Sequence, residues 1–520
     1  MKKQLKIFIA VTMVLLLCIT SLVGCSTQKQ SSETDDTSET EQPDTTITDP
    51  DTGIYINGRA ILFAEEGNTD LPLLSVEDGI TVQVVKSGDE QVTVNEEIVD
   101  DSVFLDISAI TRDSVIEIEI TDGDAVTTHT VNLMPSMFLD YTTKGESTTD
   151  GDFYLSTYDL STNYIFKLNN QGDLIFYKAI TKTDADGNEV NTNGLDFRKQ
   201  YTSSGEVRYT YMPYLEDSFA DGDCAGINPG CVVVMNENYD VIDEIYYTDG
   251  NGEEILIDPH GFIWIDEGHY ILTAYKQEVV DVPEDLGATD NRADLAVLYI
   301  EEIKDGEVLW EFSSADYEKF LYESNSITWS ASTDRCHDYV HFNSMSIDTD
   351  DNLLVSCRHL DSILKISRTD GTLMWKLGGD YDDFGLTDDQ LFSYQHSIIL
   401  TDDGSYMLFD NANTAVANGN AEYSSVIRLT VDEDTMAVTD FTRYQVVDFF
   451  SIYMGAIREV DSENSVYLWS VGGNYSTDST TPPEWSMVEY AETEDGEITY
   501  NFCFRFNEGR RRLYCSNKCE

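Results

Sequence analysis

The chain has 520 residues, of which 31 are Lys or Arg and 97 are Asp or Glu, so its formal net charge is −66 at pH 7. A polyanion of this size repels nucleic acid phosphates and anionic lipid head groups, which argues against DNA or RNA as a partner. The 30 Tyr and only 10 Pro exclude a disordered acidic chain, because such chains lack core-forming residues. The length suffices for more than one domain, and abundant Tyr, Val, Ile and Thr favour strands.

The N-terminus carries a targeting pattern. Three Lys within the first six residues precede an apolar run, residues 7–17, that is too short to span a membrane. Leu22-Val-Gly-Cys25 follows and resembles a bacterial lipoprotein processing site. Residues 1–24 are therefore predicted to be a lipoprotein signal peptide, and Cys25 the lipidated first residue of an extracytoplasmic protein anchored to the cell membrane by its lipid. An ordinary signal peptide with an incidental Cys is the alternative.

Two segments separate this pattern from the bulk of the chain. Residues 25–53 are rich in Ser, Thr, Asp and Glu, which predicts a solvated tether that buries little apolar surface. Residues 54–136 contain short runs of alternating apolar and polar residues separated by Asp and Gly. This alternation predicts a small antiparallel β-sandwich domain, in which we identify no chemical motif.

An internal repeat occupies residues 137–520. A strand–turn–strand pattern recurs six times, with turns near residues 171, 238, 305, 370, 434 and 495, so that consecutive turns are 61–67 residues apart. Long, steady spacing combined with all-β content is typical of propeller blades with long loops. The sequence therefore predicts an all-β protein, a six-bladed β-propeller preceded by the small N-terminal β-sandwich, with each hairpin as the outer pair of strands of a blade.

Three of the seven His residues occupy one repeat position. His260, His341 and His396 each begin a strand pair that lies upstream of a hairpin, in three consecutive repeats. Because these pairs would be the inner strands of the blades, quasi-symmetry should bring the three His to one mouth of the central channel. Asn343 follows His341 by two residues and should share its face of the strand, and Arg358 ends the returning strand of the same repeat.

This set of side chains suits group transfer. A guanidinium fork such as that of Arg358 binds tetrahedral oxyanions, and Asn343 adds a neutral donor. One neutral imidazole can act as a nucleophile while another moves a proton. Two other interpretations stay open, namely three buried, hydrogen-bonded His that only stabilise the channel, and a three-His metal site.

The same residues carry a resemblance to a known family, the bacterial arylsulfate sulfotransferases. It rests on motifs in a fixed order, namely Asp258-Pro-His-Gly, Asp338-Tyr-Val-His341-Phe-Asn343-Ser, Val355-Ser-Cys-Arg358 with the Gly378-Gly379 segment after it, and Tyr394-Gln-His396. The resemblance implies a six-bladed propeller that moves a sulfuryl group from a phenolic sulfate ester to an acceptor phenol without a nucleotide sulfate donor. It also implies that no cofactor or metal is required.

Residue roles follow from the resemblance as well. His396 would be the nucleophile that becomes transiently sulfated, with ping-pong kinetics. His260, His341, Asn343 and Arg358 would bind the sulfuryl oxygens, one of the two His also transferring a proton. The partners would be the aryl sulfate donor and the phenolic acceptor, and a homodimer is possible. A non-catalytic ligand-binding or docking propeller with a His-lined channel is the alternative function.

Two further sets of residues raise expectations. Lys276 occupies the place in its repeat that Arg358 occupies in the next, so it either adds positive charge to the channel or is a solvated loop residue. Cys224 and Cys231 bracket a turn-rich segment and could form a disulfide, as could Cys515 and Cys519. Cys357 should face the core, away from the channel.

Overall fold

The structure is a computed structural model of the full chain. The residues that it describes are 53–57, 59–61, 68–70, 80–86, 88–106, 114–134, 136–138, 141–158, 162–183, 189–214, 230–248, 254–255, 257–327, 329, 336–472, 484–493, 496–507, 512–513 and 517–519. The predicted signal peptide, Cys25 and all but Gly53 of the predicted tether lie outside these residues and stay predictions. Residues 54–520 form one compact unit.

The N-terminal strands form two sheets over one core. The first sheet has the order β2-β1-β4-β7 and the second β3-β9-β8-β5-β6, and Ile56, Val82, Val94 and Ile118 are among the fully buried residues that the two share. The alternation of buried and exposed residues along β4 and β8 is the period-2 pattern of the sequence. The strands are β1 (Gly53–Ile56), β2 (Arg59–Ile61), β3 (Asn68–Asp70), β4 (Ile80–Val85), β5 (Gln91–Val94), β6 (Glu97–Val99), β7 (Ser102–Leu105), β8 (Val115–Asp122) and β9 (Ala125–Asn132).

The next strands are β10 (Tyr141–Gly145), β11 (Asp152–Tyr158), β12 (Tyr164–Leu168), β13 (Leu174–Ala179), β14 (Thr181–Thr183), β15 (Glu189–Asn191), β16 (Asn193–Tyr201), β17 (Val207–Tyr214), β18 (Val232–Met235), β19 (Val241–Ile245), β20 (Tyr247–Thr248), β21 (Glu254–Ile255), β22 (Ile257–Asp266), β23 (His269–Asp281), β24 (Arg292–Lys304) and β25 (Glu307–Ser313). Helical structure in the described residues is short. The α-helices are α1 (Lys319–Glu323) and α2 (Asn413–Ala417), and the 3-10 turns are Ser136–Phe138, Glu284–Leu286, Thr289–Asn291, Ser314–Asp316 and Arg358–Leu360.

The remaining strands are β26 (Phe342–Ile347), β27 (Leu353–Cys357), β28 (Ser362–Ile366), β29 (Leu373–Gly378), β30 (His396–Leu400), β31 (Tyr406–Asp410), β32 (Ser425–Asp432), β33 (Ala437–Tyr444), β34 (Ala456–Asp461), β35 (Val466–Ser470), β36 (Met487–Glu492), β37 (Ile498–Phe506), β38 (Arg512–Leu513) and β39 (Asn517–Cys519). The protein is all-β, as predicted.

From β10 onward the described strands form sheets of four or five strands along the chain. Four of them are successive antiparallel meanders, β16 to β19, β22 to β25, β26 to β29 and β30 to β33. A fifth runs β10-β37-β36-β35-β34, and a sixth combines β11 to β13 with the C-terminal strands β38 and β39. The two-stranded pairs β14-β15 and β20-β21 stand apart from these sheets.

The six hairpins predicted from the repeat are all strand pairs of these sheets, β12-β13, β18-β19, β24-β25, β28-β29, β32-β33 and β36-β37. The turn of β28-β29 contains a glycine in the left-handed conformation. Gly371 has φ +74, and a Cβ there would lie 2.1 Å from the backbone oxygen of Glu311 on the preceding sheet. A side chain at this turn would therefore both strain the backbone and separate two sheets.

One edge strand, or β11 in its own sheet, contacts the corresponding strand of the next sheet. The contacting pairs are β11–β16, β16–β22, β22–β26, β26–β30 and β30–β34, and β39 contacts both β34 and β16. The C-terminal strand β39 pairs antiparallel with β11, placing Lys518 opposite Phe153. Strands from the two ends of the region thus complete one sheet together.

The cysteines differ from expectation. Cys231 is 2% exposed, lies in a core with Tyr209 and Tyr211, and is a thiol. The predicted Cys224–Cys231 disulfide is therefore wrong, because Cys231 is a thiol buried in this core. Cys336 is disulfide-bonded. Cys357 is a buried thiol, as expected of a core residue.

The proposed Cys515–Cys519 pair stays untested, because Cys515 and the side chain of Cys519 lie outside the description. The search for membrane-spanning helices covered only the described residues, and it found none that is both long and apolar enough.

Candidate active site

The structure brings the predicted His residues together at one end of the inner strands. His260 lies within β22, His341 directly precedes β26, and His396 is the first residue of β30. A cavity of about 300 Å³ is lined by His260, Asn343 and His396. The ring of His341 lies behind this wall, with its centroid 5.6 Å from that of His260. Inner strands of three consecutive sheets therefore supply the site.

His260 is paired with a carboxylate. Its Nδ1 lies 2.8 Å from Oδ1 of Asp258, which is 1% exposed. The carboxylate is itself placed by β23, where the Thr273 hydroxyl donates to Oδ2 of Asp258 at 3.4 Å. Burial alone would lower the pKa of His260, but the Asp258 carboxylate outweighs it and raises that pKa above its usual range. His260 is thus the imidazole best suited to carry a proton.

His341 is held by a second carboxylate, with the opposite outcome. Its Nδ1 and its backbone N–H both hydrogen-bond to Asp338, the latter at 2.9 Å. This contact is possible because His341 has φ +50, a left-handed conformation that folds the ring back over the Asp338 side chain. Burial, the Arg358 guanidinium and His260 hold the pKa of His341 well below its usual range. His341 is therefore a neutral imidazole with its proton on Nδ1.

His396 is oriented by neutral groups. Its Nδ1 lies 2.8 Å from the side-chain oxygen of Asn411 and 3.0 Å from the backbone oxygen of Tyr394. Two oxygen acceptors place the proton on Nδ1, and the backbone N–H of Met454 donates to Nε2 at 3.1 Å. Burial and the Arg358 guanidinium hold the pKa of His396 well below its usual range. His396 thus presents an unprotonated Nε2.

Asn343 connects two inner strands. Its side-chain nitrogen donates to the backbone oxygen of Gln395 at 2.6 Å, so it fixes the residue that precedes His396. Gln395 is fully buried and donates to the backbone oxygens of Cys357 at 3.2 Å and Ser362 at 2.9 Å. Asn343 therefore positions β30 against β26, and its predicted role as a donor to the substrate stays a prediction.

Arg358 begins the 3-10 turn that follows β27. Its Nη2 donates to the backbone oxygen of Ile452 at 3.1 Å, and its guanidinium carbon lies 4.5 Å from the ring centroid of Tyr394. Its positive charge lowers the pKa of both His341 and His396. Arg358 therefore belongs to the group of residues around these His, but it is not among the residues that line the cavity.

Two cations that the sequence analysis missed line the cavity. Arg198 comes from β16 and pairs with Asp196 at 2.6 Å, and Arg458 comes from β34 and donates to the Ser397 hydroxyl at 2.6 Å. Both lie on inner strands of other repeats, which was the available signal. Asp402 and Glu459 also line the cavity, so its charge is mixed.

Lys276 lies elsewhere. Its Nζ is 4.0 Å from the ring centroid of Tyr299 and 3.1 Å from the Tyr247 hydroxyl. It is not among the residues that line the cavity. Lys276 on β23 therefore contacts Tyr247 on β20 and Tyr299 on β24, and it does not line the cavity.

The three-His metal site of the sequence analysis has no counterpart in the described residues. The group there whose ligand atoms all lie within 4.8 Å of one another is Asp338, His341 and His359, which leaves out His260 and His396. Nη1 of Arg358 lies 2.8 Å from Nε2 of His359, so a cation and its hydrogen bond occupy that nitrogen. This arrangement fits an anion site better than a metal site.

Comparison with known proteins assigns the family. Residues 218–473 match the family model described as Arylsulfotransferase (ASST). This part of the chain belongs to the arylsulfotransferase family. The matched segment contains all five predicted site residues, and family membership indicates aryl sulfotransferase activity in general terms. No curated protein matches this family member.

Solved structures similar to this arylsulfotransferase are distant. A protein of unknown function from Bacteroides caccae is 10% identical, with 68% of this chain and 93% of that chain covered and a TM-score of 0.38. A virginiamycin B lyase from Staphylococcus aureus is 10% identical, with coverage of 69% and 88% and a TM-score of 0.34. A protein from Lactobacillus plantarum is 12% identical, with coverage of 67% and 81% and a TM-score of 0.35. TM-scores this low assign neither fold nor function.

Proposed function

We propose that the protein transfers a sulfuryl group from a phenolic sulfate ester to an acceptor phenol through a sulfated His396. The observation that carries this proposal is the state of that ring. Its Nδ1 faces two oxygens, so its lone pair lies on Nε2, where it accepts a hydrogen bond from the Met454 N–H at 3.1 Å. A neutral, oriented imidazole is a good nucleophile once sulfur replaces that N–H at the lone pair.

The proposed transfer has two half-reactions. The Nε2 lone pair of His396 attacks sulfur, the bond between sulfur and the phenolic oxygen breaks, and the departing oxygen takes a proton. In the second half the acceptor phenol loses its proton to the same acid–base group, its oxygen attacks sulfur, and the bond between nitrogen and sulfur breaks. His260 is the group with a raised pKa, so we assign it the proton transfer. His341, Asn343 and Arg358 would hold the sulfuryl oxygens.

We also infer the architecture in which this site lies. Six sheets in the described region, with first strands that contact one another in chain order and with β39 against both β34 and β16, support a six-bladed β-propeller. The shared core of the two N-terminal sheets supports a β-sandwich ahead of it. An experimental structure with five or seven sheets around the channel would contradict this.

The decisive experiment is mass spectrometry of the protein after mixing with a phenyl sulfate and no acceptor. We expect a sulfuryl adduct on the peptide that contains His396, and its loss when a phenol is added. His396→Ala should abolish turnover, whereas Asn343→Ala should lower the rate by about 10²–10³, the cost of one oxyanion donor in other enzymes. An adduct on another His, or full activity of His396→Ala, would contradict the nucleophile, and a wild type that turns over no phenyl sulfate would favour the docking function.

We propose further that Cys25 carries the lipid that anchors the protein outside the cytoplasm. The Lys-rich start, the short apolar run and the Leu22-Val-Gly-Cys25 pattern support this. Cys25→Ala should release the protein from membranes or block its processing, as measured by fractionation and by the mass of the mature chain. Unchanged partitioning and mass would contradict the lipid anchor.

A further inference from the structure

A fourth histidine lies next to the proposed sulfuryl-binding groups. His359 follows Arg358 in the chain and is 9% exposed. Its ring centroid lies 4.7 Å from that of His341. Its Nδ1 is 2.8 Å from the backbone oxygen of Asp338, and its Nε2 is 2.8 Å from Nη1 of Arg358. His359 does not occupy the repeat position that the other three His share, so no sequence pattern indicated it.

The two contacts fix the protonation state of His359. A guanidinium nitrogen can only donate, so Nε2 accepts a hydrogen bond from Arg358. A backbone carbonyl can only accept, so Nδ1 carries the proton and donates it to Asp338. Burial lowers the pKa of His359 to about 3, which agrees with a neutral ring. The contacts with Asp338 and Arg358 therefore select one tautomer.

The contacts of Arg358 show what this tautomer does. Tyr394 stacks under the guanidinium and sets its plane, with 4.5 Å between the guanidinium carbon and the ring centroid. The Ile452 oxygen and the His359 nitrogen then accept from Nη2 and Nη1, at 3.1 and 2.8 Å, and set the rotation within that plane. Because both terminal nitrogens are hydrogen-bonded, the remaining N–H groups of the guanidinium keep fixed directions.

We propose that His359 is a positioning residue that holds the Arg358 guanidinium in the orientation that receives the sulfuryl oxygens. The proposal rests on the proposed function, in which Arg358 binds those oxygens. Asp338 is then the common support of the site, since its carboxylate orients His341 and its carbonyl orients His359. One acidic residue thereby fixes a neutral imidazole on one side and, through His359, the cation on the other.

Three substitutions separate positioning from packing. The Gln side chain can place an acceptor oxygen where Nε2 lies, Asn can replace only the group near Nδ1, and Phe keeps the ring but neither contact. We expect His359→Phe and His359→Asn to lower kcat/KM for a phenyl sulfate by about 10–100-fold, the scale of a small misplacement. His359→Gln should stay within about fivefold of wild type. If His359→Phe were the least damaging of the three, a packing role would replace the proposal.

A double-mutant cycle tests whether His359 acts through Arg358. In an Arg358→Ala background the His359→Phe substitution should cause no further loss, because the group that it positions is gone. Equal losses in both backgrounds would overturn the proposal. Both arms require measurable turnover by wild type, which separately tests the proposed function.

A readout without turnover keeps the two failures apart. Nitrogen-15 spectra of His side chains, with His359 assigned by its loss in His359→Gln, should show a neutral ring with the proton on Nδ1 at pH 7. The Nε2 resonance should shift in Arg358→Ala. In wild type it should show the hydrogen-bonded position even when no phenyl sulfate is present. A ring with its proton on Nε2, or a cationic ring, would overturn the proposal even in a fully active enzyme.

Discussion

A buried ion pair fastens the C-terminal strand. Nζ of Lys518 on β39 lies 3.0 Å from Oε2 of Glu489 on β36, and both side chains have no exposed surface. Nζ also donates to the backbone oxygen of Thr149 at 2.9 Å and lies 4.5 Å from the Phe153 ring centroid. The pair thus joins the sheet that contains β39 to the one that contains β36.

Removing the cation should be costly. Lys518→Met leaves the Glu489 carboxylate buried without its counter-charge, and loss of one member of a buried pair costs about 3–5 kcal/mol. Glu489 keeps hydrogen bonds from the Ser147 hydroxyl at 2.7 Å and the Thr148 N–H at 3.0 Å, so we expect the lower end, about 3 kcal/mol. At about 1.36 kcal/mol per factor of ten this corresponds to opening that is roughly 150-fold more frequent.

Hydrogen exchange measures this directly. Amides of residues 152–154 that donate to β39, and not to β12 on the other side of β11, should exchange about two orders of magnitude faster in Lys518→Met. Glu489→Leu combined with Lys518→Met should restore most of the protection, because no charge remains buried. Lys86→Met, which breaks a pair with the exposed Asp100, should leave these amides unchanged. A change below about tenfold in Lys518→Met, or no recovery in the double variant, would refute the reasoning.

Two further predictions concern pH. The lowered pKa of His396 and the raised pKa of His260 predict that kcat/KM holds below pH 6.5, where an ordinary imidazole becomes charged, and falls as pH rises through the pKa of His260. Asp258→Asn should move only the alkaline limb, to lower pH, and movement of the acidic limb instead would contradict the assignment. Glu301 is 2% exposed, and burial beside Glu311 raises its pKa to about 8. Because folding raises this pKa, the stability it contributes is complete below the ordinary value of 4.5 and is lost as pH rises to about 8. Urea denaturation should show a fall of about 2–4 kcal/mol from pH 5 to 9 that is absent in Glu301→Gln, and an equal fall in that variant would contradict it.

The hairpins were predictable because their signal is local. A strand of period 2, a turn with Asp or Gly, and a returning strand lie within about fifteen residues, so that pairing and turn chemistry agree. The pairing of β39 with β11 could not be predicted, because Lys518 and Phe153 are far apart in the chain and the C-terminal segment carries no distinctive pattern. A strand that completes a sheet from the opposite terminus depends on long-range contacts that no local pattern encodes.

The site was predictable in its residues but not in its couplings. The common repeat position and the resemblance placed His260, His341 and His396 in one cluster. The partner Asp338 stands three residues before His341 in the sequence, yet the contact depends on the φ of +50 at His341, which the residue type does not reveal. Arg198 and Arg458 come from repeats without a site His, so no motif singled them out.

The local charges explain how a chain of net charge −66 can hold an anionic substrate. Asp258 and Asp338 are the carboxylates next to the cluster. Each is hydrogen-bonded to an imidazole Nδ1 and orients that ring. Arg358 donates from Nη1 to a neutral His359, a contact that leaves the positive charge in place. Surface carboxylates act through water and salt, which screen them over about 10 Å, whereas the partly buried Arg358 guanidinium acts at short range in a less polar medium. A sulfuryl group bound as we propose would therefore respond to the charges near the cavity, where Arg198 and Arg458 stand beside Asp402 and Glu459, more than to the charge of the whole chain.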